Sequence, residues 1–470
     1  MCLKAFLPKS RRRTLRRLAA TRGLDRRPGL HPGFLTEGTA VDPRRYPELS
    51  SVNPALEIPS SFIGKPLSMH VIDEDMYVFA DYNGSLYLTR WHGEDFYHMI
   101  LPSRDLTTKR ELVQFNLYSN PSDPLSGEYR HLCLIFPDLL CFDLDENEPE
   151  LKPLGEESMT SMPSLDHVCV YMSRLFGTDR DRLYASAYND PTDWDLDTAT
   201  DSGAGNAWAT TVQSNILSDG DFTALCVYDG RILAFKSHFC HVVNGTQNPF
   251  RVSDLFPVGT ESSATVAEVG GCLFFADKSH VYRYDGDAVK SIGDPLNVSD
   301  FSGAMAAGRG ELYYLFVPKE NRVFLYSERT GAWGEIGFFS KKPLFAMAAT
   351  ERGCYFLDND SNLYLAEAGE NGSFVFRFAP TAESGDTSLR ISRLHVTLTA
   401  DVGATLSATY TDTSGRRTDL LSYTEKDARR TRHIVSRVMT PSDRGGYIIL
   451  SGSGALTVHE VSVTALESNS

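Results

Sequence analysis

From about residue 65 to 380 the chain repeats one short grammar: an apolar run, a turn of Gly, Asp or Asn, then a Tyr- and Phe-rich run with period-two alternation. Met76-Tyr77-Val78-Phe79-Ala80 reaches Asp81-Tyr82-Asn83-Gly84 and returns as Ser85-Leu86-Tyr87-Leu88. An Asn-Gly pair readily takes the two left-handed conformations of a tight hairpin, so this unit reads as paired antiparallel strands. Residues 223–228 turn at Asp229-Gly230 into 231–235, Gly270-Gly271 leads into 272–276, and Gly308-Arg309-Gly310 into 311–316. Successive late units begin roughly 40 residues apart and hold three or four short strands, which is the period of a propeller blade. Such a blade cannot bury both of its faces alone and must stack on neighbours around a ring. The expected fold is therefore all-β, a six- or seven-bladed β-propeller over residues 61–382. The 21 Tyr, 26 Phe, 36 Gly and 23 Pro suit strands and turns better than helices.

Beyond a linker-like Glu383-Ser384-Gly385-Asp386 the strands lengthen, at 390–399, 404–411, 433–438, 447–451 and 456–465. Five alternating strands there predict a small C-terminal β-sandwich over 386–467. The other end differs in charge. Residues 1–45 carry twelve Lys/Arg against three acids, a net of +9 in a chain whose total is −15. Residues 1–60 are thus expected to be a basic, extended N-terminal arm punctuated by Pro32, Pro43, Pro47, Pro54 and Pro59. Leu15, Leu18 and Ala19 among the arginines suggest a short amphipathic helix formed on contact with an anion, ended by Gly23 and Pro28. Removal of residues 1–27 is expected to leave the protein folded.

No apolar run of about 18 residues occurs, so no helix is expected to span a membrane. The eight cysteines form no CxxC pair and sit mostly in apolar runs, as reduced, buried residues of a chain assembled in a reducing cytoplasm. P-loop, GxGxxG, GxSxG and HExxH patterns are absent. His238, Cys240 and His241 lie close enough to suggest a metal, but a strand would turn 241 away from 238 and 240. Asp358-Asn359-Asp360-Ser361-Asn362 alternates oxygens like a calcium loop without the Gly and the bidentate Glu that complete one. Asp193, Asp195 and Asp197 form an acidic loop, read as solvated. No catalytic residue, cofactor site or metal site is assigned, and the chain is expected not to be an enzyme.

The arginines are the candidates for contact. Arg11, Arg12, Arg13, Arg16, Arg17, Arg22, Arg26 and Arg27 cannot all be buried, and DNA phosphates or an acidic protein surface would pair with them. A second set, Arg416, Arg417, Arg429, Arg430, Arg432 and Arg437, is balanced by nearby acids and reads as surface or interface.

The segment from Arg182 to Trp194 resembles a recurring element of bacteriophage tail and head–tail connector propeller proteins, in which a strand ending in Ser (Ser186) meets an Asp-Pro turn (Asp190, Pro191) and an aromatic (Trp194). The order continues through Val258-Gly259-Thr260, residues 268–275, Val281-Tyr282-Arg283-Tyr284 and Ile292-Gly293-Asp294-Pro295, so the likeness covers roughly 165–300. It is similar to packaged-DNA stabilisation and tubular nozzle proteins of short-tailed phages. The resemblance implies a structural virion protein of tail or neck, part of a ring-shaped oligomer, contacting tail, connector or portal subunits and helping close or extend the DNA channel. It implies no catalytic residue. The basic leader departs from that family, and packaged DNA is one partner it would suit. Two alternatives are a receptor- or glycan-binding propeller displaying Trp91, Trp194, Trp208 or Trp333, and a propeller-fold glycosidase needing two convergent carboxylates about 5–10 Å apart.

Overall fold

The computed structural model describes residues 12–18, 23–28, 33–93, 95–119, 129–155, 162–196, 205–210, 218–337, 343–370, 372–378, 387–441, 443 and 445–469. Among them the only helical elements are the 3-10 turns Pro43–Arg45, Ser263–Thr265 and Asp294–Leu296, and no helix is long and apolar enough to cross a membrane.

Among the described residues, seven four-stranded antiparallel sheets follow one another. Their first strands are Lys65–Ile72, Glu111–Tyr118, His167–Tyr171, Phe222–Tyr228, Ala267–Val269, Met305–Arg309 and Leu344–Ala349. Each first strand packs beside the next, with Ser263–Thr265 making the link between the fourth sheet and the fifth. Leu344–Ala349 packs beside Lys65–Ile72, so the row of sheets closes on itself as a β-propeller does. The hairpins form where turn chemistry demands. Asn83 and Gly84 take φ values of 54° and 78°, and Asp229 and Gly230 take 48° and 66°, the left-handed pairs of tight two-residue turns.

Alternation fails where the sheets stack. Leu312–Val317 and Cys272–Ala276 are buried at every position, because a strand in mid-sheet has a neighbouring sheet on both faces. Tyr77, Phe79, Cys133 and Phe142 fill the gap between the first two sheets, while Met76, Val78, Tyr355 and Leu357 fill that between the seventh and the first.

The seventh sheet takes its fourth strand from far upstream. Leu56–Ile58 pairs antiparallel with Leu363–Leu365, matching Ile58 to Leu363 and Leu56 to Leu365. Two five-stranded sheets use the remaining strands. One runs Leu35–Thr39, Ser373–Phe378, Tyr447–Ser453, Thr405–Thr411, Arg417–Thr424; the other runs Arg12–Leu18, Leu456–Asn469, Thr387–Ala400, Arg430–Arg437, with Leu49–Ser50 also on Leu456–Asn469. Phe374, Phe376, Leu406 and Leu450 of the first share one apolar cluster with Ile391, Leu394, Val396 and Val463 of the second. That cluster continues into the sixth sheet through Tyr313, Phe324 and Trp333.

Two expectations are thereby corrected. The basic segment is no extended arm where it is described: residues 12–18 form a strand, not a helix, and Leu24 and Asp25 are buried. A free sheet edge at Leu456–Asn469 offers the backbone seven register partners, which outweighs any helical preference of seven residues. The 61–382 and 386–467 boundaries shift too, since Ser373–Phe378 already belongs to a five-stranded sheet and Leu56–Ile58 to a four-stranded one; the proposed linker at 383–386 lies outside the described residues.

Where the N-terminal segment crosses the sixth sheet, a carboxylate is buried. Glu335 is 5% exposed, its backbone exchanges hydrogen bonds with Val41, and its side chain accepts Arg322 Nη1 at 3.0 Å. Burial outweighs the nearby Arg322 and Arg26 and raises its pKa from 4.5 to about 7. The folded form therefore holds this proton more tightly than the unfolded chain. The associated stability is complete below pH 4.5 and is lost as pH rises through 7. The two and a half pH units between them correspond to about 3 kcal/mol. Glu335→Gln is expected to remove that component, so the loss of urea-unfolding free energy from pH 5 to 7.5 should be smaller in the variant; an unchanged loss would refute the assignment.

Candidate functional site

A propeller concentrates its ligand chemistry where its innermost strands converge. Here that convergence leaves a cavity of about 360 Å³, walled by the first strands of the first, sixth and seventh sheets, by Lys109 and Glu111 at the start of the second sheet's, and by residues leading into the fifth's. The wall mixes apolar and polar groups in similar measure. Met69, Met305 and Met347 project from three sheets, joined by Leu67, Ala306 and Phe345. Lys109 Nζ lies 2.7 Å from Glu111 Oε1 and 3.4 Å from Ser263 Oγ, reaching across the ring from the second sheet to the fifth. Glu111 is the one carboxylate lining the cavity among the described residues, and Lys109 neutralises it. His70 sits 2.8 Å by Nε2 from the Arg110 carbonyl, and burial lowers its pKa. At neutral pH the imidazole is uncharged and Nε2–H donates to that carbonyl, so this histidine orients backbone. Nothing in this wall pairs two carboxylates for acid–base work.

The Ser186 to Trp194 element is a structural plug. Ser186 Oγ accepts Leu175 N at 3.0 Å and donates to the Ala187 carbonyl, while Asp190 caps its own turn by accepting Thr192 N at 2.9 Å. After Pro191 the chain folds back, and Trp194, 3% exposed, donates Nε1–H to the Pro191 carbonyl at 2.9 Å. Its ring fills the gap between the second and third sheets beside Phe115, Leu134 and Leu175. Asn189, in the same turn at φ 56°, accepts from Tyr118 N and donates to Tyr118 O, pinning the third sheet to the second.

The other sequence candidates disperse. His238 is exposed at a turn, whereas Cys240 and His241 are buried on opposite faces of one strand. His241 Nε2 meets Ser218 Oγ at 2.6 Å, and no group of three or more potential metal ligands forms among the described residues. Asp358 is buried and its oxygens accept Asp360 N, Asn362 N and Asn362 Nδ2, so the calcium-like run is a closed turn. Asp193 accepts Asp195 N, and Asp197 lies outside the described residues. Trp208 and Trp333 are buried like Trp194; Trp91 is half-buried, its ring 6.0 Å from Phe96 and edge-on to Tyr355. Burial raises the thiol pKa values of Cys133, Cys169, Cys240 and Cys354, and that of Cys226 to about 12, so these sulfurs stay protonated and unreactive.

The arginines divide into three groups. Arg11 and Arg22 lie outside the described residues, and of Arg12 only the backbone register opposite Glu467 is described. Arg26 and Arg27 are tied to acids of the fold: half-buried Arg26 reaches Glu320 by Nη1 at 2.7 Å and the Leu296 carbonyl, and exposed Arg27 grips buried Asp25 by two nitrogens. Arg13 and Arg17 stand exposed on their strand, while Arg16 on its other side is half-buried. In the second set Arg429, Arg430 and Arg432 pair with Asp401, Asp427 and Glu425.

Sequence reasoning missed an ion pair built on a fully buried arginine. Arg110, 0% exposed, places Nε 2.9 Å from Asp138 Oδ2 and Nη2 3.3 Å from Oδ1, and also donates to the Thr108 carbonyl and Ser103 Oγ. Asp138 shares a hairpin turn with Pro137, and only that turn was visible in sequence.

No family model and no curated protein matches the chain. Solved structures do. YCF48 from Cyanidioschyzon merolae aligns over 67% of this chain and 98% of its own at 10% identity, TM-score 0.39. The Myceliophteria thermophila Cps50 (Swd1) β-propeller domain aligns over 67% and 100% at 8% identity, TM-score 0.39. A glycoside hydrolase family 43 arabinoxylan arabinofuranohydrolase from Bacillus subtilis aligns over 87% and 95% at 8% identity, TM-score 0.25. None of these scores reaches 0.5, and no activity is carried from them to this chain.

Proposed function

We propose that this chain is a structural subunit of a bacteriophage tail or head–tail connector: a seven-bladed propeller carrying a β-sandwich, acting through its outer surfaces within a ring of copies and neighbouring virion subunits. The observation that carries the surface-acting part is the state of the central cavity. Three methionines and a Lys109–Glu111 ion pair tied to Ser263 occupy the place where a propeller enzyme would need convergent, solvated acids. Interleaving of N- and C-terminal strands in one sandwich also suits a subunit that must resist being pulled apart. The virion assignment draws on the resemblance across roughly 165–300, whose Ser186 to Trp194 turn serves blade-to-blade packing here.

Particles banded on a density gradient from a culture carrying the encoding genome are expected to contain the chain, at a copy number matching a ring, by quantitative mass spectrometry. Intact particles without it would overturn the virion reading. Purified protein is expected to release no reducing sugar from bacterial surface polysaccharide; release would overturn the reading of the cavity.

A further inference from the structure

Charge in this chain follows architecture. Residues 51–370, which hold the four-stranded sheets, contain 47 Asp/Glu and 23 Lys/Arg, a net of −24. Everything else contains 14 Asp/Glu and 23 Lys/Arg, a net of +9. The excess has a definite location. In Thr387–Ala400 the side chains of Leu394, Val396 and Leu398 are buried in the shared core, so Arg393, His395 and Thr397 face outward. Register then places partners on the same outer face. Arg393 lies opposite Arg437 on one side and Thr464 on the other, and Thr464 lies opposite Leu15. One row along, Arg390 and Arg13 flank Leu466; in the row on the other side, Arg17 and His395 flank Ser462.

Two like charges directly opposite each other destabilise a sheet. Arg393 and Arg437 are such a pair, and no ion pair relieves either among the described residues. Arg390 Nε is buried without a hydrogen-bond partner. Two carboxylates approach this face among the described residues: Glu460, 3.1 Å from Arg17, and Glu48, held at its far end by His459, which also meets Thr399. Between the arginines stand hydroxyls (Thr464, Ser462, Thr397, Thr399 and Thr431) together with the aliphatic Leu15, Val435 and Leu466. Tyr, Phe and Trp are missing from these rows.

We propose that this outer sheet face binds the phosphate backbone of double-stranded nucleic acid, independently of base sequence. Arginines and hydroxyls on a broad surface are the groups that contact phosphate and sugar. A face that bound single strands would carry aromatic platforms for unstacked bases. The net −24 of residues 51–370 repels a polyanion from the four-stranded sheets and directs it to the five-stranded ones. The inference stands without the virion assignment, and it relocates the contact once expected of the whole basic leader. Only Arg13 and Arg17 of that group take part, beside three arginines from the other end of the chain.

The test is fluorescence anisotropy of the full chain with a labelled duplex of roughly 30 base pairs and scrambled sequence. Four unpaired arginines (Arg13, Arg390, Arg393, Arg437) predict a log–log salt slope of about −4, so affinity should fall about 100-fold between roughly 50 and 200 mM salt. Arg393→Gln/Arg437→Gln should weaken the slope by about two and cost at least roughly tenfold in affinity at low salt. The variant's melting temperature should hold or rise, since the substitution removes a repulsion. Should that variant misfold, Arg13→Gln on the edge strand should weaken the slope by about one. Absence of duplex binding at low salt, variants that bind like wild type, or equal affinity for a single strand would each overturn the proposal. So would a double variant that alters self-association in sedimentation while leaving duplex affinity intact, since a second copy's acidic sheets would then be the occupant.

Discussion

A chain lacking residues 1–58 is expected to yield no folded protein. The deletion removes the strand that completes the seventh four-stranded sheet, an edge strand from each five-stranded sheet, and Leu49–Ser50. Leu24, Leu35, Val41, Leu49 and Val52 are each 5% exposed or less within the largest apolar cluster. At about 2 kcal/mol for each side chain buried, those five alone contribute about 10 kcal/mol. A whole domain is stable by only about 5–15 kcal/mol. Unpaired strand edges and apolar surface would remain on Leu363–Leu365 and Leu456–Asn469, so aggregation should follow. Even removal of residues 1–27 discards strand Arg12–Leu18, buried Leu24, and the Arg26–Glu320 and Arg27–Asp25 ties. Far-UV circular dichroism and limited proteolysis report the outcome. A soluble truncated protein with native spectrum and cooperative unfolding would show that these strands are accessories.

Asp138→Ala is expected to cost about 3–5 kcal/mol of unfolding free energy, the usual penalty for leaving one member of a buried ion pair uncompensated. Arg110 has no route to water at 0% exposure, and its remaining partners, the Thr108 carbonyl and Ser103 Oγ, are neutral. The double variant Arg110→Met/Asp138→Leu should recover most of the loss, because removing both charges removes the desolvation cost with them. Urea midpoints for Arg110→Met, Asp138→Leu and the double variant form the cycle. A single variant within about 1 kcal/mol of wild type would mean that Arg110 finds another anion or solvent.

How much of this molecule is legible in its sequence depends on distance along the chain. The hairpins were legible. Asn83-Gly84 and Asp229-Gly230 announce left-handed turns through their own backbone preferences, and a turn of two residues needs no distant partner. The rhythm of turns then implied consecutive meandering sheets and an all-β fold.

Tertiary structure decided everything that depends on which edge lies open. The basic run at 12–18 reads as a solvated or helical arm until Leu456–Asn469, more than 400 residues away, presents an unpaired strand. Leu56–Ile58 is an unremarkable Pro-flanked segment until the seventh sheet needs a fourth strand. Middle strands lose their alternation because a second sheet arrives on the side that sequence reasoning assigned to solvent. The candidate surface shares this origin. Arg13, Arg390, Arg393 and Arg437 have no common motif and become one cationic face only when cross-strand register aligns them. Turn geometry is set by the energies of single residues and was written in the sequence; edge pairing and charge register are set by contacts between segments that chain order keeps apart.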